Sequence, residues 1–224
     1  MPLRETADLA QLLVQPALAS AMSDSLRALA VRGELRRYRR GTLLIEEGDR
    51  GESLYVILAG RLRAFSVNAD GREVTYGVYG PGEYIGEMSL DGGPRSASVI
   101  TIETSSCAIV ARPTLERYIA EHPEFAFELL AKVIRRARAA TLSVKQLALN
   151  DVYGRLKLLL ESLTVLQADG ARHIEERLTH REIASRLGCS REMVSRVMKD
   201  LEVGGFLASS GSRIILARPL PARW

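Results

Sequence analysis

Residues 179–203 read THREIASRLGCSREMVSRVMKDLEV, and this stretch decides the fold. Thr179 stands three residues before Glu182, the spacing of a capping box. There the threonine hydroxyl and the glutamate carboxylate each take a backbone N–H left free at a helix start. The helix so opened runs to Leu187. Gly188-Cys189-Ser190 makes a tight turn, and Ser190 caps a second helix from Arg191. Two short helices joined through a glycine-containing turn form a helix-turn-helix. At ~100° per residue, Met193, Val194, Val197, Met198 and Leu201 share one face of the second helix, the buried one. Arg191, Glu192, Ser195, Arg196 and Lys199 share the other.

A solvated outer face explains charge alone, but this one carries base-reading chemistry. Arginine can fork onto guanine O6 and N7, and glutamate can accept from cytosine N4, both in the major groove. Phosphate repulsion penalises a carboxylate at DNA unless it reads a donor on a base, so Glu192 beside Arg191 reads as a specificity device. Ser190, Ser195, Lys199, Thr179 and the adjacent His180 complete the candidate DNA-binding set. Downstream, Gly204-Gly205-Phe206-Leu207, then Gly211 and Ile214-Ile215-Leu216, read as a β-hairpin wing.

Charge supports this placement. Residues 1–120 hold 14 Lys/Arg against 15 Asp/Glu, a balance of −1, and residues 121–224 hold 17 against 12, a balance of +5. A neutral front half and a basic back half suggest a sensing module followed by one that meets a polyanion. Upstream of the helix-turn-helix, a helix is expected over Val152 to Leu166, before a turn at Ala168-Asp169-Gly170. No Gly or Pro interrupts Glu124 to Asn150, about 27 residues or ~40 Å of helix. Leu130, Ile134, Ala137, Thr141, Val144 and Ala148 recur along it at alternating spacings of four and three. That is the seam of a two-stranded coiled coil, or else a helix lying on its own domain.

From Tyr38 to Arg112 the texture changes to short Val-, Ile-, Leu- and Tyr-rich runs separated by glycines. Val56 to Leu58, Leu62 to Val67, Val74 to Val78, Ala97 to Ile102 and Ala108 to Ala111 read as strands, with hairpin chemistry at Asn68-Ala69-Asp70-Gly71. Such a run indicates a β-roll. One or two short helices are expected within residues 7–31. Late in the roll, Gly86 lets the chain enter a single helical turn whose free N–H groups can face an anion. Arg95 supplies countercharge and Ser96 a hydroxyl donor, while Glu87 can accept from a sugar 2′-hydroxyl. By residues alone, the same stretch is equally a glycine-rich turn with a Glu87–Arg95 ion pair. Arg95 is expected in a surface turn, where its removal would spare the fold.

Composition narrows the classes. A hydrophobic fraction of 46% and a charged fraction of 26% suit a folded protein. No run approaches the ~20 apolar residues of a membrane helix, and the N-terminus lacks the basic region of a secretory signal. Two cysteines, Cys107 and Cys189, support neither a disulfide framework nor a four-thiolate cluster, so a reduced, cytoplasmic protein is expected. The sole tryptophan, Trp224, lies at the far C-terminus and promises little as a fluorescent reporter. A nucleotide-processing enzyme is the remote alternative. Against it stands the lack of a Ser/His/Asp set, a metal-ligand cluster or a phosphate-loop lysine.

The stretch Gly86-Glu87-Met88-Ser89-Leu90-Asp91-Gly92-Gly93-Pro94-Arg95-Ser96 resembles the phosphate-binding cassette of cyclic-nucleotide-binding domains. Taken with residues 179–207, the chain from about 30 to 217 resembles the CRP/FNR superfamily of bacterial transcription regulators. Gly188 to Arg196 is similar to the recognition helix of its catabolite-activator branch, and Asp151 to Leu156 to the junction after that branch's long helix.

The resemblance implies an α+β chain with three parts. They are a cyclic-nucleotide-binding β-roll sensor over residues 1–122, a long dimerisation helix over 123–150, and a winged helix-turn-helix over 151–224. It implies a homodimer whose effector gates binding to a palindromic double-stranded DNA site with TGTGA-like half-sites, with RNA polymerase as a further partner and no membrane. The effector would be cAMP, or alternatively cyclic di-GMP, or the pocket would be non-functional, with no metal or covalent cofactor. Gly86, Glu87, Met88, Arg95 and Ser96 would bind it, Glu87 at the ribose and Arg95 and Ser96 at the cyclic phosphate, with Thr141 at the base. Arg191, Glu192 and Arg196 would read bases. The cassette between Gly86 and Arg95 is two residues shorter than in the catabolite-activator branch, and Ala140 replaces a hydroxyl residue. The cysteine cluster of the oxygen-sensing branch is absent. His122 is the sole histidine before the DNA-binding half, which gives a haem sensor little support.

Overall fold

A computed structural model describes residues 9, 11–13, 15–166, 172–210 and 213–224. They fall into two compact units, one of residues 1–66 with 75–136 and one of residues 67–74 with 137–224.

In the first unit, helices α1 (Pro16–Ala21) and α2 (Asp24–Val31) precede eight strands. These are β1 (Glu34–Tyr38), β2 (Leu43–Ile45), β3 (Ser53–Ala59), β4 (Leu62–Val67), β5 (Glu73–Tyr79), β6 (Tyr84–Ile85), β7 (Ser98–Thr101) and β8 (Ser105–Ala111). They form two four-stranded sheets, ordered β1-β8-β3-β6 and β2-β7-β4-β5. The first sheet is buried on both faces, and the alternation of side chains along a strand shows how. Leu54, Val56 and Leu58 of β3, with Ala108 and Val110 of β8, pack against Leu26, Leu29 and Ala30 of α2. Ile57 and Cys107 point the other way, into a second core with Ile45, Leu62, Ala64, Ile85 and Val99. Burial in that core pushes the Cys107 thiol up to about 12, so it is a packing residue and not a nucleophile.

Helix α3 (Arg112–Glu121) follows, with Pro113 in its first turn, where a missing N–H costs nothing. Its Leu115 and Tyr118 join the helix-facing core, as does Phe125 at the start of α4 (Glu124–Leu149). Beyond Phe125 the long helix is mostly exposed. Leu130 (53%), Ile134 (42%) and Val144 (65%) of its seam are open to solvent, and Ala137, Thr141 and Ala148 are exposed too.

The second unit contains α5 (Val152–Ser162), β9 (Thr164–Leu166), β10 (Arg172–Ile174), α6 (His180–Leu187), α7 (Arg191–Val203), β11 (Leu207–Ser210) and β12 (Arg213–Leu216). Asp151 caps α5, its carboxylate accepting from the Gly154 N–H at 2.7 Å. The helix expected to reach Leu166 ends at Ser162. Thr164-Val165-Leu166 instead pairs antiparallel with Arg172–Ile174, extending the wing into a four-stranded sheet ordered β11-β12-β10-β9. β-branched Thr164 and Val165 favour a ladder once a partner strand is in reach. The expected turn at 168–170 and Gly211 of the wing lie outside the described residues. Tyr153, Leu156 and Leu160 of α5 meet Ile183 and Leu187 of α6, Val194, Met198 and Leu201 of α7, and Ile214 and Leu216 of β12 in one core. Trp224 packs edge-on against Phe206 at 5.4 Å and stacks on Tyr153 at 6.0 Å. It is therefore a usable reporter of this unit, contrary to its terminal position in sequence.

Candidate ligand cassette and nucleic-acid interface

The cassette begins where β6 ends. Gly86 takes φ +92°, and a Cβ there would lie 2.6 Å from the Ser53 carbonyl oxygen and 2.7 Å from Arg95 Nη1. Only glycine meets both the dihedral and the space. A single 3₁₀ turn, Glu87–Ser89, follows, closed by the Leu90 N–H donating to the Glu87 carbonyl at 3.1 Å.

Arg95 is 7% exposed and not in a surface turn as expected. Its Nη1 donates to the Gly86 carbonyl at 2.9 Å and to Ser89 Oγ at 2.8 Å, and Nη2 donates to the Ser53 carbonyl at 3.1 Å. The guanidinium thus ties the 3₁₀ turn to β3, which is why the fold draws it inward. Burial pushes its pKa down, with opposing pulls from Tyr55 and Glu87. It stays charged, since arginine does not deprotonate in proteins, yet it forms no ion pair among the described residues.

Glu87 does not pair with Arg95. Its carboxylate, 4% exposed as a side chain, is held through Oε1 by Arg136 Nη1 from α4. Arg136 Nη2 donates to the Tyr84 carbonyl at 2.5 Å, and the guanidinium lies 4.6 Å from the Tyr79 ring centroid. Burial alone would lower the Arg136 pKa, but the hydrogen bond and charge of Glu87 outweigh it, and the net direction is up. Sequence reading missed Arg136 because Arg135-Arg136-Ala137-Arg138 looks like ordinary solvated charge, and its partner lies 49 residues away. Its consequence is electrostatic. Arg136 neutralises Glu87, so the buried charge beside the 3₁₀ turn is that of Arg95. Oε2 of Glu87 remains as an acceptor.

Met88 is 61% exposed, and Ser96, also exposed, donates to its sulfur at 3.4 Å. Gly86, Glu87, Met88, Arg95 and Ser96 are therefore brought together in the first unit. Thr141 belongs to the second, where its hydroxyl donates to the Ala137 carbonyl at 3.0 Å.

In the helix-turn-helix, the Thr179 N–H donates to Glu182 Oε2 at 2.7 Å and the Glu182 N–H to Thr179 Oγ1 at 3.2 Å, completing the capping box. Gly188 ends α6 in the left-handed region at φ +65°. Ser190 Oγ then accepts from the Met193 N–H at 3.2 Å to start α7. Val194, Val197, Met198 and Leu201 are buried as the periodicity requires. Met193, expected on that face, is 38% exposed. It sits in the first turn, where the helix stands clear of the core.

Arg191, Glu192, Arg196 and Lys199 are all exposed. Hydrogen bonds from its own backbone N–H and from the Ser190 hydroxyl, with the Arg191 charge, hold the Glu192 carboxyl below the usual range. It is ionised and ready to accept. Ser195 is half-buried, its hydroxyl 2.9 Å from His180 Nδ1, which links the two helices at their outer face.

Among the described residues, no helix is long and apolar enough to cross a membrane, and no group of three or more His, Cys, Asp and Glu is placed to hold a metal.

Two family models match the sequence: a cyclic nucleotide-binding domain over residues 35–122 and a Crp-like helix-turn-helix domain over residues 155–219. A "CRP-like cAMP-activated global transcriptional regulator" of Mycobacterium tuberculosis is 30% identical over 208 residues, 91% of this chain and 90% of that protein. The "Cyclic AMP receptor protein" of Thermus thermophilus is 35% identical over 176 residues, 76% of this chain and 77% of that protein. Among solved structures, the c-di-GMP-responsive regulator CLP of Xanthomonas campestris superposes with a TM-score of 0.78 at 25% identity, covering 87% of this chain and 98% of that one.

Proposed function

This chain belongs to the CRP/FNR superfamily of transcription regulators, and from that premise we infer that it is gated by cAMP and binds a palindromic operator with TGTGA-like half-sites. The observation that carries the effector reading is Arg95: a guanidinium 7% exposed with no carboxylate partner among the described residues. A buried charge without its counter-ion is costly, and a cyclic phosphate at the 3₁₀ turn supplies that counter-ion. In this reading Ser96 adds a hydroxyl donor to the phosphate. Glu87, neutralised by Arg136, offers Oε2 to the ribose hydroxyl, and Gly86 and Met88 shape the wall. Thr141 is proposed as a base contact from its place in the seam. The Mycobacterium and Thermus relatives, both named for cAMP, support the choice. The functional parts are then residues 1–122, 123–150 and 151–224.

On the DNA side, Arg191, Glu192 and Arg196 read base edges, while Thr179, His180, Ser190, Ser195 and Lys199 contact the backbone. The exposed apolar seam of α4 is covered by a second copy, so two recognition helices meet two half-sites. RNA polymerase is the further partner this placement serves, in a cytoplasmic setting.

A second effector reading, cyclic di-GMP, is favoured by the likeness to the Xanthomonas regulator. Calorimetry of the full chain against cAMP, cGMP and cyclic di-GMP decides. Saturable heat with cAMP that disappears in Ser96→Ala or weakens about tenfold supports the primary reading. Heat with cyclic di-GMP alone replaces it with the second.

A further inference from the structure

Arginine carries five N–H donors, and at Arg95 the protein already takes three of them. Nη1 gives one to the Gly86 carbonyl at 2.9 Å and one to Ser89 Oγ at 2.8 Å, and Nη2 gives one to the Ser53 carbonyl at 3.1 Å. The Nε–H and one Nη2–H remain, side by side, as a fork suited to two oxygens of one phosphate. That fork points at Gly51. A Cβ on Gly51 would lie 2.9 Å from Nη2, 3.0 Å from Nε and 3.3 Å from Cζ. Near-equal distances to the two nitrogens, with the carbon farther off, put this point in the guanidinium plane at the mouth of the fork. A phosphate oxygen on the fork needs the same place. The Gly51 backbone stands one bond behind it and so caps the fork.

Gly51 belongs to the loop of residues 46–52 between β2 and β3. The middle of this loop is pinned to the backbone of Arg95. The Arg95 N–H donates to the Asp49 carbonyl at 2.8 Å, and the Gly48 N–H donates to the Arg95 carbonyl at 2.9 Å. Residues 50–52 are held differently. Ser89 Oγ donates to the Gly51 carbonyl at 2.7 Å, and its approach to the Gly86 carbonyl, 3.2 Å, is the weaker use of its single proton. Glu52 meets Arg112 at 3.4 Å, an exposed pair that contributes little. Ser89 is 1% exposed, so water does not compete for its hydroxyl. The same oxygen accepts from Arg95 Nη1. One hydroxyl thus holds the loop down on the fork and takes a donor away from it.

We propose that Ser89 is the latch of the anion seat: its bond to Gly51 keeps residues 50–52 over the free edge of Arg95, and an effector phosphate enters by breaking that bond. The inference rests on the effector reading above, in which Arg95 meets a cyclic phosphate. It adds that the seat is shut until the phosphate arrives. A charge-assisted bond from Arg95 to phosphate is the stronger of the two, so the ligand can open the latch.

The latch fixes the sign of a substitution that ordinary loosening would give the other way. Ser89→Ala removes the bond the ligand has to break and returns one Nη1 hydrogen to the anion. Calorimetry of the full chain with cAMP should show binding about three- to tenfold tighter than in the parent, the worth of one hydrogen bond. Urea unfolding of the same variant should show a lower midpoint. Ser89→Cys, with a far weaker donor and acceptor in nearly the same volume, should shift affinity in the same direction by less, and it serves if Ser89→Ala does not fold. In the unliganded chain, amide hydrogen exchange over residues 50–53 should quicken in either variant. Binding equal to or weaker than the parent's in the variants, or unchanged exchange over residues 50–53, overturns the latch while the effector reading stands. A parent that gives no saturable heat with cAMP refutes the effector reading, and the latch with it.

Discussion

The cassette and the recognition helix carry the same kinds of side chain and use them in opposite ways. In the cassette, Arg95, Arg136 and Glu87 are drawn inward: Arg95 bonds two carbonyls and a hydroxyl, and Arg136 holds Glu87 and the Tyr84 carbonyl. On α7, Arg191, Glu192 and Arg196 stand in solvent. Charge spent on protein partners stabilises the fold and pre-sets a pocket. Charge left in solvent contributes little to stability and is free for a polyanion. The same substitution in the two regions should therefore be read by different instruments.

The largest effect is expected at Arg136. Arg136→Ala leaves the Glu87 carboxylate buried without its counter-ion, a loss of about 3–5 kcal/mol. Urea unfolding followed by far-UV circular dichroism measures it, and pairing the change with Glu87→Gln should recover a large part. Arg191→Ala, measured alongside, should shift stability by no more than ~0.5 kcal/mol. Similar losses at the two positions would erase the distinction.

Arg95→Ala comes next. It leaves the Gly86 and Ser53 carbonyls and the Ser89 hydroxyl short of a donor, at about 2–4 kcal/mol in total, and it removes effector binding. A variant as stable as the parent would mean that the guanidinium does not hold the turn to β3.

On the recognition helix the readout moves to DNA. Arg191→Ala and Arg196→Ala should each cost ~1–3 kcal/mol of binding and relax discrimination at one base pair. Binding to a panel of single-base operator variants measures this. An equal loss on specific and random duplexes would mark them as phosphate contacts.

The smallest effect is at the cap. Thr179→Ala removes one half of the capping box and should destabilise the second unit by ~1 kcal/mol. Fluorescence of Trp224, packed on Phe206 and Tyr153 of that unit, reports it. No shift in the fluorescence midpoint would show that core packing alone sets the start of α6.

The two regions also differ in how far their structure is legible in the sequence. The helix-turn-helix is local: its capping box, its glycine turn and the alternation of faces on α7 all act within a few residues, and nearly all were legible. Met193 escaped because periodicity says which face a residue shares, not how far the core extends along it. The end of α5 escaped for a tertiary reason, since Thr164–Leu166 becomes a strand when Arg172–Ile174 lies beside it. The cassette was legible as a string of residues but not as a network. Arg95 is bonded to Ser53, 42 positions away, and Glu87 to Arg136, 49 positions away. No spacing rule reaches that far, so of the two readings of the stretch the one with a Glu87–Arg95 ion pair is not what the fold adopts.

In the proposed function the two regions are joined by a single link: occupancy of the cassette changes what the recognition helices can bind. Its most direct test is the affinity of the full chain for a duplex with two TGTGA-like half-sites and for a scrambled duplex, each with and without saturating cAMP. A coupling of ~1–3 kcal/mol predicts operator binding about 5- to 150-fold tighter with cAMP, and little change on the scrambled duplex. Equal operator affinity with and without cAMP, in protein shown by calorimetry to bind it, would contradict the claim.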